Sequence, residues 1–238
     1  MHNSDTAALM KAWGVDIDAH MRTIALTHRS WAYEHETKHN ERLEFLGDSV
    51  LGFIAADWLF REYPEDTEGD MSKIKAAGVS EKALAEVARE LKLGEYIRLG
   101  VGEERTGGRK KDSILSDTVE ALIAATYVQY GIDTTRTVVE RHIVPVLKKA
   151  AALGPALDWR TAFEERARAM GVPHVDDIRY EVHGEGPDHA RVYTARMYVH
   201  DIFWGEGTGT SQKAAKLEAC ADAYRRLTGS DKHTESEG

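Results

Sequence analysis

The sequence predicts two domains of different class, a mainly α domain followed by a small α+β domain of order α-β-β-β-α. Two observations carry this. Up to about Ala152, amphipathic segments follow one another at helical spacing; beyond the break Leu153-Gly154-Pro155-Ala156, the pattern turns to a helix, three alternating segments carrying Tyr and Val, and a final helix. The 238 residues suffice for one large domain or two modest ones, and 42% hydrophobic residues suffice for a buried core.

In the first domain, helices are expected around Ala7–Trp13, Ile17–Leu26, Arg42–Arg61, Ser72–Leu91, Leu115–Tyr130 and Thr134–Leu147. The breaks between them have chemical causes. Pro64 pushes Tyr63 away from the helical region, Thr106-Gly107-Gly108 marks a loop, and Gly131 follows a helix end. Gly47 and Gly52 lie inside a helix, where each costs about 1 kcal/mol relative to Ala; they make sense where another backbone packs closely. In the second domain, Asp158 can cap a helix from Trp159 to Met170, ended by Gly171 and Pro173. Ile178–His183, Arg191–Val199 and Ile202–Thr208 read as strands. Ser211 caps a last helix whose Ala215, Ala219, Ala223 and Leu227 form one small apolar face, and the polar tail from Gly229 is expected to be disordered.

The candidate chemistry lies on two of these helices. NERLEFLGDSVL (Asn40 to Leu51) places Glu41, Glu44 and Asp48 at i, i+3 and i+7, within an arc of about 60° at about 100° per residue. Leu43, Leu46, Val50, Leu51 and Ile54 cover the inward faces. SILSDTVEALIAATY (Ser113 to Tyr127) places Asp117 and Glu120 at i, i+3 on an equally apolar body. One such acid pair alone is more often a solvated face. Two pairs on apolar helices can face each other and form an all-oxygen cage, because half-buried carboxylates repel unless a cation sits between them. No His lies three residues after any of these acids, which disfavours iron and favours Mg²⁺ or Mn²⁺.

These two blocks resemble those of ribonuclease III, the double-strand-specific endoribonuclease. The likeness extends to ALTHRSWAY (Ala25 to Tyr33), EGDMSKIKA (Glu68 to Ala76) and LGEYIRLGVGEERTGG (Leu93 to Gly108), and into the C-terminal region. The resemblance implies the ribonuclease III endonuclease fold over residues 1–152, a linker over 153–157, a double-stranded RNA-binding domain over 158–228 and a tail over 229–238. It implies that Glu44, Asp48, Asp117 and Glu120 are the catalytic, metal-binding acids. Glu41 and Glu68 match two further acids that support the cleavage site, and Phe45 matches an aromatic knob that inserts into the partner of a homodimer. It also implies Mg²⁺-dependent cutting of double-stranded RNA, with Mn²⁺ as a substitute, to 5′-phosphate ends with short 3′ overhangs.

The second domain, with Gly186-Pro187-Asp188-His189 between its first two strands, resembles a double-stranded RNA-binding domain. Such domains span about 16 base pairs and read shape, 2′-hydroxyls and phosphates. The resemblance assigns RNA contacts to the first helix at Glu164, to the loop at Pro187, Asp188 and His189, and to the last helix start at Gln212, Lys213 and Lys216. Two positions depart from the family: Gln212 replaces the first of a lysine pair, and Glu164 stands where a Gln is frequent. Both predict weaker, more salt-sensitive binding by the isolated domain.

Composition sets bounds. There is no run of eighteen apolar residues, hence no expected membrane span, and no secretory signal. The single Cys220 fits a reducing compartment such as the cytoplasm. The net charge of -9 argues against a general polyanion binder, and Asp158 to Leu227 carries ten Lys/Arg against twelve Asp/Glu, so RNA contact must rest on local cations. Arg105, Arg109, Lys110 and Lys111 form a basic loop that reads equally as a phosphate contact or a solubilising turn. His35 and His39 are four apart, as zinc ligands can be, but stand in a polar stretch without a nearby Cys or an HExxH pattern. A non-catalytic double-stranded RNA-binding regulator and a carboxylate-metal hydrolase of small phosphates are the other classes that fit parts of the chain.

Overall fold

Caps and breakers set the order of elements. The computed structural model describes residues 6–154, 158–187 and 191–229, and the chain divides into two compact units between Gly154 and Pro155. The first unit holds α1 (Ala7–Trp13), α2 (Ala19–Ala25), α3 (Arg29–His35), α4 (Glu41–Glu62), α5 (Glu68–Gly78), α6 (Glu81–Glu90), α7 (Val101–Arg105), α8 (Asp112–His142) and α9 (Val144–Leu153). Single 3₁₀ turns lie at Leu93–Glu95 and Gly108–Lys110.

Three differences from the sequence-based expectation have local causes. The segment expected as one helix from Ser72 to Leu91 is two helices, because the Ser80 hydroxyl accepts the Ala83 N–H and starts α6 afresh. The segment expected from Thr134 to Leu147 is likewise broken, with Pro145 in the first turn of α9. Helices α3 and α7 were not expected, and α3 has a cap. The His28 imidazole caps it by accepting the Ser30 N–H, and the extended backbone around His28 pairs with Arg98 through His28 N–H to Arg98 O (3.1 Å) and Arg98 N–H to Leu26 O (2.8 Å). α8 carries a non-helical residue at Gly131, where the helix was expected to end.

The core of the first unit lies between α4 and α8. Leu51, Ile54 and Leu59 of α4 and Leu115, Val119 and Leu122 of α8 are almost fully buried. Trp13 ties α1 to the same helix: its Nε1 donates to Thr126 Oγ1 at 3.0 Å and its ring stacks on His142.

The second unit holds α10 (Trp159–Ala169), β1 (Ile178–Glu185), β2 (Val192–Val199), β3 (Ile202–Gly209) and α11 (Gln212–Thr228). The strands form one antiparallel sheet in the order β1-β2-β3, with Tyr180 opposite Met197 and a bulge at Met197/Tyr198. Phe163 and Ala167 of α10, Ala195 and Met197 of β2, and Ala215, Ala219 and Ala223 of α11 form its core, with Leu227 partly buried against it. Gly205, Gly207 and Gly209 of β3 lie so close to α11 that a Cβ at any of them would collide with its backbone. The small apolar face of α11 thus meets the bare backbone of an edge strand. The segment 230–238, expected to be disordered, lies outside the described residues.

Candidate active site

Helices α4 and α8 cross where Gly47 meets Glu120. A Cβ on Gly47 would overlap the Glu120 carbonyl, so only glycine permits this approach. Gly52, the other glycine expected to sit at a close backbone contact, has no atom near its Cβ position among the described residues. The close crossing sets the acids of α4 against those of α8. Oxygens of Glu44, Asp117 and Glu120, all half-buried, lie within 4.8 Å of one another. Asp48 is exposed one turn further along α4, outside that group but near enough for its charge to act on Glu120 and Glu44.

The electrostatics are those of crowded carboxylates in a partly dry site. Burial, then Asp48, Asp117 and Glu44, push the Glu120 carboxyl up to about 8. Burial and then Asp117 and Glu41 raise Glu44, against the opposing charge of Arg29. Burial also raises Asp117, opposed by its hydrogen bond from Ser116 and by Arg29. Arg29 is the residue that sequence reading missed here. It lies at the start of α3, pairs with Glu41 at 3.4 Å, and is the cation that acts on Glu44 and Asp117. Its signal was its place in THRS, at the first position of that unexpected helix.

The two acids expected to support the site, Glu41 and Glu68, differ in their surroundings. Glu41 stays beside the cluster, held by Arg29 and 3.7 Å from His39. Glu68 begins α5 and is not one of the three grouped acids. It accepts a hydrogen bond from Ser72 at 2.7 Å and lines a hollow of about 390 Å³ with Phe53, Phe60 and Lys75. Phe45 is 79% exposed and so is no core aromatic of this chain. His35 stacks on Trp31, and the described residues place no group of three metal-ligating side chains around it or His39. In the basic loop, Arg109 binds Glu104 and the carbonyls of Gly94 and Ile97, and Lys111 binds Glu103. These two cations therefore hold the loop together.

In the second unit, Glu164 pairs with Arg160 at 2.8 Å. Ser211 caps α11 by accepting the Ala214 N–H, leaving Gln212 and Lys213 exposed and Lys216 half-buried in the first turns. Pro187 is exposed; Asp188 and His189 lie outside the described residues.

Comparison with known proteins identifies the family of both units. Residues 18–147 match the Ribonuclease-III-like family and residues 159–227 the double-stranded RNA binding motif. Relatives include Ribonuclease 3 of Thermobifida fusca, 46% identical over 217 residues covering 90% of this chain and 88% of that protein. Ribonuclease 3 of Nocardia farcinica is 44% identical over 232 residues, covering 95% of each. Among solved structures, the nuclease domain of ribonuclease III from Campylobacter jejuni matches with a TM-score of 0.55 and 38% identity, over 61% of this chain and 97% of that one; that structure is described as having flexibility in a region involved in dimer formation. The chain belongs to the ribonuclease III family of endoribonucleases that act on double-stranded RNA.

Proposed function

We propose that the chain is a Mg²⁺-dependent endoribonuclease, with Mn²⁺ as a substitute, that hydrolyses double-stranded RNA to 5′-phosphate and 3′-hydroxyl ends with short 3′ overhangs. The observation that carries the reading is the convergence of Glu44, Asp117 and Glu120 within 4.8 Å, with Asp48 beside them. Their donors fit a hard cation: all are carboxylate oxygens, with no imidazole or thiol among them. Glu44, Asp117 and Glu120 would hold the ion and Asp48 would complete the cage. When bound, the ion neutralises phosphate charge and makes the attacking water more acidic.

The chain's own contribution is positioning. Glu120, whose carboxyl is raised, would have to give up its proton to hold the ion, and the four carboxylates would position the cleft by electrostatics rather than by nucleophilic attack. In the reaction one water oxygen bonds to phosphorus, the P–O3′ bond breaks, and a proton goes to the leaving 3′ oxygen. Glu41 and Glu68 serve as supporting acids. The exposed Phe45 supports a homodimer, in which two centres cut one strand each. Glu164, Pro187, Asp188, His189, Gln212, Lys213 and Lys216 contact the duplex. Processing of ribosomal precursors and processing or decay of messages in the cytoplasm suit an enzyme that reads shape, and the single Cys220 suits a reducing compartment.

Cleavage of a labelled duplex of a few dozen base pairs, in Mg²⁺ or EDTA, tests this beside Glu120→Gln. Staggered cuts that need Mg²⁺ and vanish in the variant are expected. Binding without cutting in both Mg²⁺ and Mn²⁺ would favour a regulator, and turnover retained by the variant in saturating Mg²⁺ would remove Glu120 from the cage.

A further inference from the structure

We propose that Tyr180 is a positioning residue for RNA binding: its ring holds the Lys216 ammonium in place for a backbone phosphate. The inference rests on the assignment of Lys216 to phosphate.

Lys216 and Cys220 are one turn apart on the same face of α11. Tyr180 of β1 engages both. Its ring centroid lies 5.5 Å beneath Lys216 Nζ, within cation–π range, and its hydroxyl lies 3.0 Å from Cys220 Sγ. The ring therefore runs along the helix, pinned at its hydroxyl end by a buried thiol. The other lysine of this helix start, Lys213, is exposed and has no such support among the described residues. Burial and the Cys220 contact raise Tyr180 far above the ordinary phenol range, so the ring remains a neutral platform.

Tyr180 also feels the charges of Arg160 and Glu164, which places it where the RNA-facing helix α10 and the phosphate-facing start of α11 converge. A lysine free in water loses rotamer freedom when it binds a phosphate. A lysine already resting on an aromatic face has lost part of that freedom beforehand, and the ammonium keeps its charge. With Gln212 in place of one cation, prior ordering of Lys216 carries more of the contact.

The test uses the full chain in EDTA, with a duplex RNA of about 16 base pairs to match one domain's span. Affinity is measured across salt for wild type, Tyr180→Phe, Tyr180→Leu, Lys216→Ala and the Tyr180→Leu/Lys216→Ala double variant. Lys216→Ala is expected to lower the salt slope by about one. Tyr180→Leu is expected to weaken binding about 2- to 5-fold, the worth of one cation–π contact, the double variant to bind no more weakly than Lys216→Ala alone, and Tyr180→Phe to stay near wild type. The wild-type protein alone supplies a second reading by NMR: the Lys216 ε-methylene protons should be shifted upfield by the ring. Absence of that shift, or additive losses in the double variant, would overturn the positioning role whether or not Tyr180→Leu folds well. No change in affinity or slope for Lys216→Ala would instead remove Lys216 from the phosphate contacts, and with it the basis of the proposal.

Discussion

Glu120 shows how one side chain joins stability to metal binding. Its carboxyl is raised to about 8 by burial and by Asp48, Asp117 and Glu44, against 4.5 for an ordinary Glu. The folded, metal-free protein therefore holds a proton that the unfolded chain gives up at lower pH. The resulting stabilisation is present below the unfolded value and is lost as pH rises through the folded one. Glu44 and Asp117 are raised too and act with the same sign. In EDTA the melting temperature should fall between pH 5 and 8. A cation must displace that proton, so Mg²⁺ affinity should rise by up to about tenfold per pH unit below 8, and Mg²⁺ should restore the melting temperature most at the alkaline end. Thermal melts at several pH values, with and without Mg²⁺, check both trends; a flat melting temperature in EDTA would remove the crowded protonated carboxylate. The grouping of Glu44 with Asp117 and Glu120 was foreshadowed in the sequence by acids at helical spacing on two apolar helices. Their counter-charge was not: Arg29 reaches Glu41 from twelve residues away across a loop, which no periodicity reports.

At the scale of elements, the sequence registered helices whose apolar stripe is long and missed the short α3 and α7, which bury at most one residue each. α4 and α8 were legible from their apolar faces. α3 has a single buried residue, Ala32, so its sequence carries no stripe, and the structural hydrogen bond that His28 in THRS suggests turns out to be the cap that starts it. The α5–α6 break was hidden because Ser80 can sit inside a helix or cap one, and the stripe continues across it. Gly47 and Gly52 looked alike in the sequence and differ in the fold. Gly47→Ala would force α4 and α8 apart at the acids. It should cost about 1–3 kcal/mol and lower cleavage more than Mg²⁺-independent duplex binding. Gly52→Ala meets open space in the single chain and should stabilise by about 1 kcal/mol through helix propensity. Chemical denaturation of both variants measures the contrast. Loss of stability at Gly52→Ala that depends on protein concentration would mean that a partner protomer's backbone takes the space beside it.

For the whole molecule, the question is how a chain of net charge -9 holds a polyanion. The two-domain division was legible because periodicity and composition change together near Gly154. The RNA-facing charge balance was not, because it depends on which ions pair. Glu164 read as a repulsive charge facing phosphate, yet it pairs with Arg160 one turn earlier on α10. The pair is neutral as a unit, so the cost of Glu164 is the cation it occupies more than the charge it carries. Glu164→Gln should therefore free Arg160 for phosphate while keeping a carbonyl oxygen that can accept from a 2′-hydroxyl. Duplex affinity should rise several-fold at low salt. The dependence of log affinity on log salt should steepen by up to about 0.9, the contribution of one phosphate contact. Arg160→Gln alone should do the reverse, leaving an unpaired carboxylate beside the backbone and weakening binding most at low salt, where repulsion is least screened. Both variants bind the same duplex in EDTA over a salt series. If Glu164→Gln leaves affinity and slope unchanged, Arg160 does not reach phosphate, and the pair belongs to the stability of α10 rather than to RNA binding.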